Sequence, residues 1–408
     1  MSLVLLASVA LAGADVLTTS LELLLDVPNQ RFAGVATLRL TADGDAVTLD
    51  AIDLDVDAVR VDGRVGRFTQ GEGRLRIELP RRQRVHTVVI RYGGGPSEGL
   101  RFEEGAVYTG FDTRRWLPCD FDLGDRGTFA LRLTGLPAGW EVVGNGQERG
   151  AWWRIDRAHP AYLLGFAAGD LWTTRTRPTG LAVGGGPTTT RDAATLLPEL
   201  ERMAATYEAQ SGRALPGGRF DLLFLPGDVA QEKADFALLG EDSATETLND
   251  PREDWLPAHE LSHAWWGNTV TAATWADFWM NEALSTYATN TWKRARWGDA
   301  AYARELDLSR SRLARLRARG DARALVLDAG ATADDAGGTL VYALGFLTLD
   351  ALRERVGDEA FDAGLRALMP ATGERSLSTA ELQRAMEAAS GHELSDFFEE
   401  WVRRARRP

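Results

Sequence analysis

The sequence predicts an N-terminal all-β domain followed by a mainly α domain. Three observations carry that expectation. Apolar and polar residues alternate with period two from about Asp15 to Arg177. A stretch rich in Gly, Pro and Thr follows, over 178–190. Beyond it, apolar residues recur at the helical period of ~3.6. The expected domains are therefore 15–178 and 186–408.

Each element follows from local pattern. Leu75, Ile77 and Leu79 alternate with Arg74, Arg76 and Glu78. Val88, Ile90 and Tyr92 repeat the theme, as do Phe129, Leu131 and Leu133. Turn signals interrupt at Asp43-Gly44, Asp62-Gly63, Gly93-Gly94-Gly95 and Asn145-Gly146. Two packed or curved sheets are expected, with Trp152-Trp153 and the run 162–166 as core strands near their end. In the second part, Leu200, Met203 and Tyr207 share a helix face, and Gly212 stops that helix. Phe220–Leu225 reads as a short apolar strand closed by Pro226-Gly227. Ser378 with Glu381 forms a capping box, and Leu394, Phe397, Trp401 and Val402 pattern a terminal helix.

Composition narrows the function classes. The chain has 408 residues, 44% of them hydrophobic, enough for sizeable cores. Its net charge of −13 repels phosphates, so no nucleic-acid partner is expected. Arg403, Arg404, Arg406 and Arg407 read as a solvated tail. The single cysteine, Cys119, permits neither an internal disulfide nor a cysteine-based metal site. Residues 1–14 are apolar or small and end in Ala12-Gly13-Ala14, which reads as a signal peptide. The protein is then exported, to the periplasm or beyond; if the run is instead a buried strand, it is cytoplasmic. The run is too short to span a bilayer, and no stable membrane insertion is expected.

The decisive segment is His259-Glu260-Leu261-Ser262-His263, which fits H-E-x-x-H on a helix. Residues four apart are turned by ~400°, so both imidazoles face one side, one turn apart. Both can reach a single Zn²⁺ at ~2.0–2.1 Å. Glu260, displaced by one position, reaches a water at the metal instead and serves as general base. A catalytic zinc needs a third protein ligand, and the best candidate is Glu282, in a second helical stretch. Trp275 and Trp279 flank it and argue against a solvated face.

The segments HELSHAWWGN, from His259, and WADFWMNEALSTY, from Trp275, resemble the M1 family of gluzincin aminopeptidases. VYTGFDTRRWLP, AYLLGFAAGD and LSDFFEEWV extend the resemblance over most of the chain. The resemblance implies a saddle-like β domain, a thermolysin-like catalytic domain and one zinc ion. It also implies a short form that stops before the family's large C-terminal helical domain, leaving a more open cleft. Tyr342, in Tyr342-Ala343-Leu344-Gly345, matches the family's oxyanion-stabilising tyrosine, with Leu344 where the family has Lys.

One family feature is not retained. M1 aminopeptidases carry a GAMEN segment whose Glu binds the substrate's free amine. The corresponding region, 234–246, reads ADFALLGEDSATE. One alignment sets Ala237 at that Glu, and a shifted one offers Glu241. In the β domain, Asp112 matches an acid that helps recognise the amine, while Gly110 replaces the family's Gln. The expected function is therefore zinc-dependent hydrolysis of peptides, foremost as an M1-type aminopeptidase. Altered or endopeptidase specificity is one alternative. A non-catalytic zinc-bearing binding module is another, although a purely structural site has no use for Glu260.

Overall fold

The computed structural model describes residues 15–80, 84–176 and 179–404. The apolar run read as a signal peptide lies outside them, as do Arg406 and Arg407.

Period-two alternation becomes sheet. Strand Arg31–Thr41 buries Phe32, Ala36, Leu38 and Leu40 on one face. It pairs antiparallel with Asp15–Asp26 on one side and Val85–Gly94 on the other. These are the middle of an eight-stranded sheet whose outermost strands, Gln147–Arg149 and Arg64–Val65, do not meet. The sheet is open, not a barrel. Ala46–Asp50, Arg74–Glu78 and Phe68–Gly71 form a three-stranded sheet that buries Leu75 and Ile77 in the same core. Leu100–Glu103, Ala106–Thr109, Glu141–Gly144 and Phe166–Gly169 form a four-stranded one.

The run 162–166 departs from the expected core strand. Ala161–Leu163 is a 3₁₀ turn, and a strand begins only at Phe166. Side chains replace ladder partners here: Thr113 Oγ1 donates to Ala161 O, and Asn145 Nδ2 donates to Leu163 O.

Trp172–Arg175 pairs antiparallel with Leu181–Gly185, so the Gly-, Pro- and Thr-rich stretch lies within and just after a hairpin. That hairpin edges a five-stranded sheet. Its central strand, Phe220–Leu225, is buried throughout and runs parallel to both neighbours, Leu181–Gly185 and Phe236–Gly240. A strand buried on both faces needs a continuous apolar run, as this one has. Ala230–Lys233 closes the sheet as an antiparallel edge.

Helices then pack around Trp279–Trp297, which is buried on every side over its first twelve residues. Leu197–Ser211 ends at Gly212, whose φ of +73° suits glycine. The Ser378–Glu381 capping box forms in full. The terminal helix runs α over Ser395–Phe398 and π over Glu399–Arg403, with Phe397 and Trp401 stacked. A cluster of Phe111, Phe121, Tyr162, Trp275 and Phe278 joins the β part to the helical part.

Candidate active site

The helix Trp255–Ser262 carries the first histidine, with His263 at its C-terminal end. Pro257 sits in its first turn, where a missing N–H costs nothing. The carboxylate of Asp254 just ahead accepts from the indoles of Trp292 and Trp297. Glu282 lies in the first turn of Trp279–Trp297. The two helices bring His259 Nε2 to 3.1 Å from His263 Nε2 and 3.2 Å from Glu282 Oε2. His263 Nε2 is 3.8 Å from the same oxygen.

These separations fit a metal. Tetrahedral zinc with bonds of ~2.0–2.1 Å sets its ligand atoms roughly 3.3 Å apart. The tautomer agrees. Trp266 O accepts from His263 Nδ1 at 2.9 Å, so the proton is on Nδ1 and the Nε2 lone pair faces the centre. Ser285 Oγ stands 2.9 Å from the same nitrogen and donates to Trp266 O. Burial pushes both imidazoles down, His259 to about 3, which keeps them neutral, as ligands must be.

Two glycines make room. At Gly267, φ is +129° and a Cβ would stand 2.8 Å from His263 Nδ1. At Gly345 a Cβ would meet the Ala283 Cβ at 2.6 Å. The missing side chain lets helix Thr339–Val356 press against the helix of Glu282, which delivers Tyr342. Its phenol lies near enough to Glu282 for that carboxylate to act on it, and its ring lies 5.6 Å from that of His259. Burial, then the charges of Glu282, Glu260 and Glu232, hold the phenol protonated and able to donate.

A residue not singled out from the sequence completes the cluster. Glu232, Glu260 and His263 each turn a ligating atom to within 4.8 Å of the others. Three buried carboxylates, Glu232, Glu260 and Glu282, thus each come close to His263. Burial, followed by the nearby carboxylates, pushes Glu260 well up. Its Oε2 has no hydrogen-bond partner among the described residues. Such a cluster favours cationic occupants.

Glu232 lies on the edge strand Ala230–Lys233, directly opposite Ala237. The acid is therefore one strand over from Ala237, the position that one alignment sets at the family's Glu. Asn268 Nδ2 donates to Lys233 O, and Lys233 Nζ donates to Gly110 O and Tyr162 O. The edge strand is thereby pinned to the metal helix and to the β part. Glu241 is elsewhere: it opens helix Glu241–Asn249, and its carboxylate accepts from Thr188 Oγ1. Asp112 is buried against Arg114 and Arg115, near enough for its charge to act on Lys233.

Comparisons with known proteins agree with the fold. The family model described as Peptidase family M1 domain matches residues 234–401. The M1 zinc metallopeptidase of Deinococcus radiodurans superposes with a TM-score of 0.80 at 25% identity, covering 97% of this chain and 95% of that one. Yeast LTA4 hydrolase shares the fold, with a TM-score of 0.84 at 24% identity over 97% of this chain and 68% of its own. Leucine aminopeptidase 2 of Phaeosphaeria nodorum is 26% identical over 66% of this chain and 49% of its own length. Human aminopeptidase B is 30% identical over 51% of this chain and 33% of its own. The chain spans about half the length of the first of these relatives, and less of the second. Residues 234–401 are thus a Peptidase family M1 domain, and the chain as a whole shares the fold of an M1 zinc metallopeptidase.

Proposed function

We propose that this protein is a zinc-dependent aminopeptidase that removes residues from peptides with a free N-terminus. His259, His263 and Glu282 hold the ion. When bound, zinc supplies Lewis acidity to the scissile carbonyl and acidifies the attacking water. Glu260 takes the proton of that water at its unpartnered Oε2, then delivers it to the leaving amine. Tyr342 donates its phenolic proton as a hydrogen bond to the developing oxyanion. Glu232 receives the substrate's α-ammonium and takes the place of the glutamate expected from the GAMEN segment. Asp112, through its charge near Lys233, adds to the negative field that the ammonium meets.

One observation carries the exopeptidase reading: the carboxylate of Glu232 beside Glu260 and His263. A buried acid there rewards a cation at the end of the substrate and gives nothing to a blocked one. Aminoacyl fluorogenic substrates, run beside N-acetylated peptides, test this. Turnover confined to free amines is expected. Equal turnover of both would make the enzyme an endopeptidase, and none with zinc-loaded protein would leave a binding module.

A further inference from the structure

His263 and His259 are held in different ways. His263 has a hydrogen bond behind it, from Nδ1 to Trp266 O. His259 Nδ1 is buried with no hydrogen-bond partner among the described residues. A ligating imidazole without that anchor is free to tilt, which spoils the aim of its Nε2 lone pair.

The indole of Trp255 lies flat against the His259 ring instead, with centroids 4.6 Å apart and planes 11° from parallel. Trp255 is one helical turn before His259, so the two side chains share a face. Its Nε1 donates to Asn290 Oδ1 at 3.2 Å. Asn290 is buried on the helix that carries Glu282. One side chain thus touches a histidine on the first helix and is tied to the second.

We infer that Trp255 is a positioning residue for the metal: its ring face fixes the plane of His259 where a hydrogen bond is missing. The inference rests on the reading of His259 as a zinc ligand. Two effects act together. Stacking restricts the tilt of the imidazole before the ion arrives. Coordination then draws charge out of the imidazole, and a cationic ring is attracted to the electron-rich face of an indole. Trp255 therefore favours the metal-bound state over the metal-free one.

The test measures zinc affinity of the full chain by competition with a chelating dye, for wild type, Trp255→Phe and Trp255→Leu. Melting of the metal-free proteins is followed alongside. Leucine stays apolar but has no ring to stack, and should weaken zinc binding by ~10–100-fold, the usual cost of losing a group that orients a ligand. Phenylalanine keeps a stacking face and should recover most of that loss. Both variants lose the Nε1 bond to Asn290, so the two metal-free variants should melt together, below wild type. Wild-type affinity in the leucine variant would overturn the inference. So would equal losses of affinity in both variants, or a larger loss in the leucine variant matched by lower metal-free melting than in the phenylalanine variant. A wild-type chain that takes up no zinc would fail earlier, by removing the ligand set and this inference together.

Discussion

Asn281 Nδ2 donates to the Tyr162 hydroxyl at 2.9 Å, across the join between the β part and the helix that carries Glu282. Tyr162 donates in turn to Gly267 O, and Asn281 Oδ1 accepts from the N–H of Ala272. All of these groups are buried. Tyr162→Phe should therefore leave the Asn281 amide short of an acceptor, at a cost of about 1–3 kcal/mol. A lower midpoint in chemical denaturation checks this. Because Asn281 adjoins Glu282, zinc affinity should fall as well.

Glu260 is intimate with the ligands without being one of them. Glu260→Gln should lower kcat by at least ~100-fold, the lower bound for a lost general base. Zinc content should stay at the wild-type level, as metal analysis of the purified variant would read. Activity surviving in this variant would remove Glu260 from the proton path.

Tyr342→Phe removes one donor aimed at charge that develops only during reaction. The expected change is a ~10²–10³-fold drop in kcat with KM little altered. Steady-state kinetics on one aminoacyl substrate separates the two constants.

Glu232→Ala should act on substrate choice. Loss of a charged hydrogen bond of about 1.5–3 kcal/mol lowers kcat/KM on free-amine substrates by ~10–100-fold. An amine-lacking substrate analogue, if it binds, should bind no worse to the variant. A uniform loss on both would mean that Glu232 supports the fold of the site and not the amine.

Asp125 provides a pH test remote from the metal. Burial pushes its carboxyl up to about 8, against ~3.9 in the unfolded chain, even though it accepts from the N–H of Val16. The folded state thus holds the proton that the unfolded state releases. This contribution to stability is complete below pH ~4 and is lost as the pH rises toward about 8. Asp125→Asn, which can still accept from Val16, should flatten that decline. Denaturation midpoints at pH ~5 and pH ~8 read the difference.

The fold was legible where pattern and burial coincide. Leu75 and Ile77 alternate because one face of their strand is covered, and Phe220–Leu225 is continuously apolar because both faces are. Local spacing breaks down around Tyr162, where the backbone leaves the sheet and the side chains of Thr113 and Asn145 donate to the carbonyls of Ala161 and Leu163. No periodicity encodes that.

The convergence of His259, His263 and Glu282 was legible because a helix converts spacing into direction. Glu232 was not, since an edge strand presents its acid through pairing across a hairpin. The pairing of Glu232 with Ala237 is invisible until the two strands are in register. A usable signal was present: Gln231-Glu232-Lys233 runs into Ala234-Asp235, a tight turn with Asp235 at φ +73°. The acid on the strand before that turn is the one that stands beside Glu260 and His263. Trp255 escaped for a simpler reason, because a tryptophan one turn before a histidine reads as core.

Diffraction at the zinc absorption edge, from crystals of the chain purified with zinc, tests the central claim most directly. The account predicts one anomalous peak, ~2.0–2.2 Å from His259 Nε2, His263 Nε2 and the Glu282 carboxylate. A peak elsewhere, or Glu282 turned away from the two histidines, would contradict it.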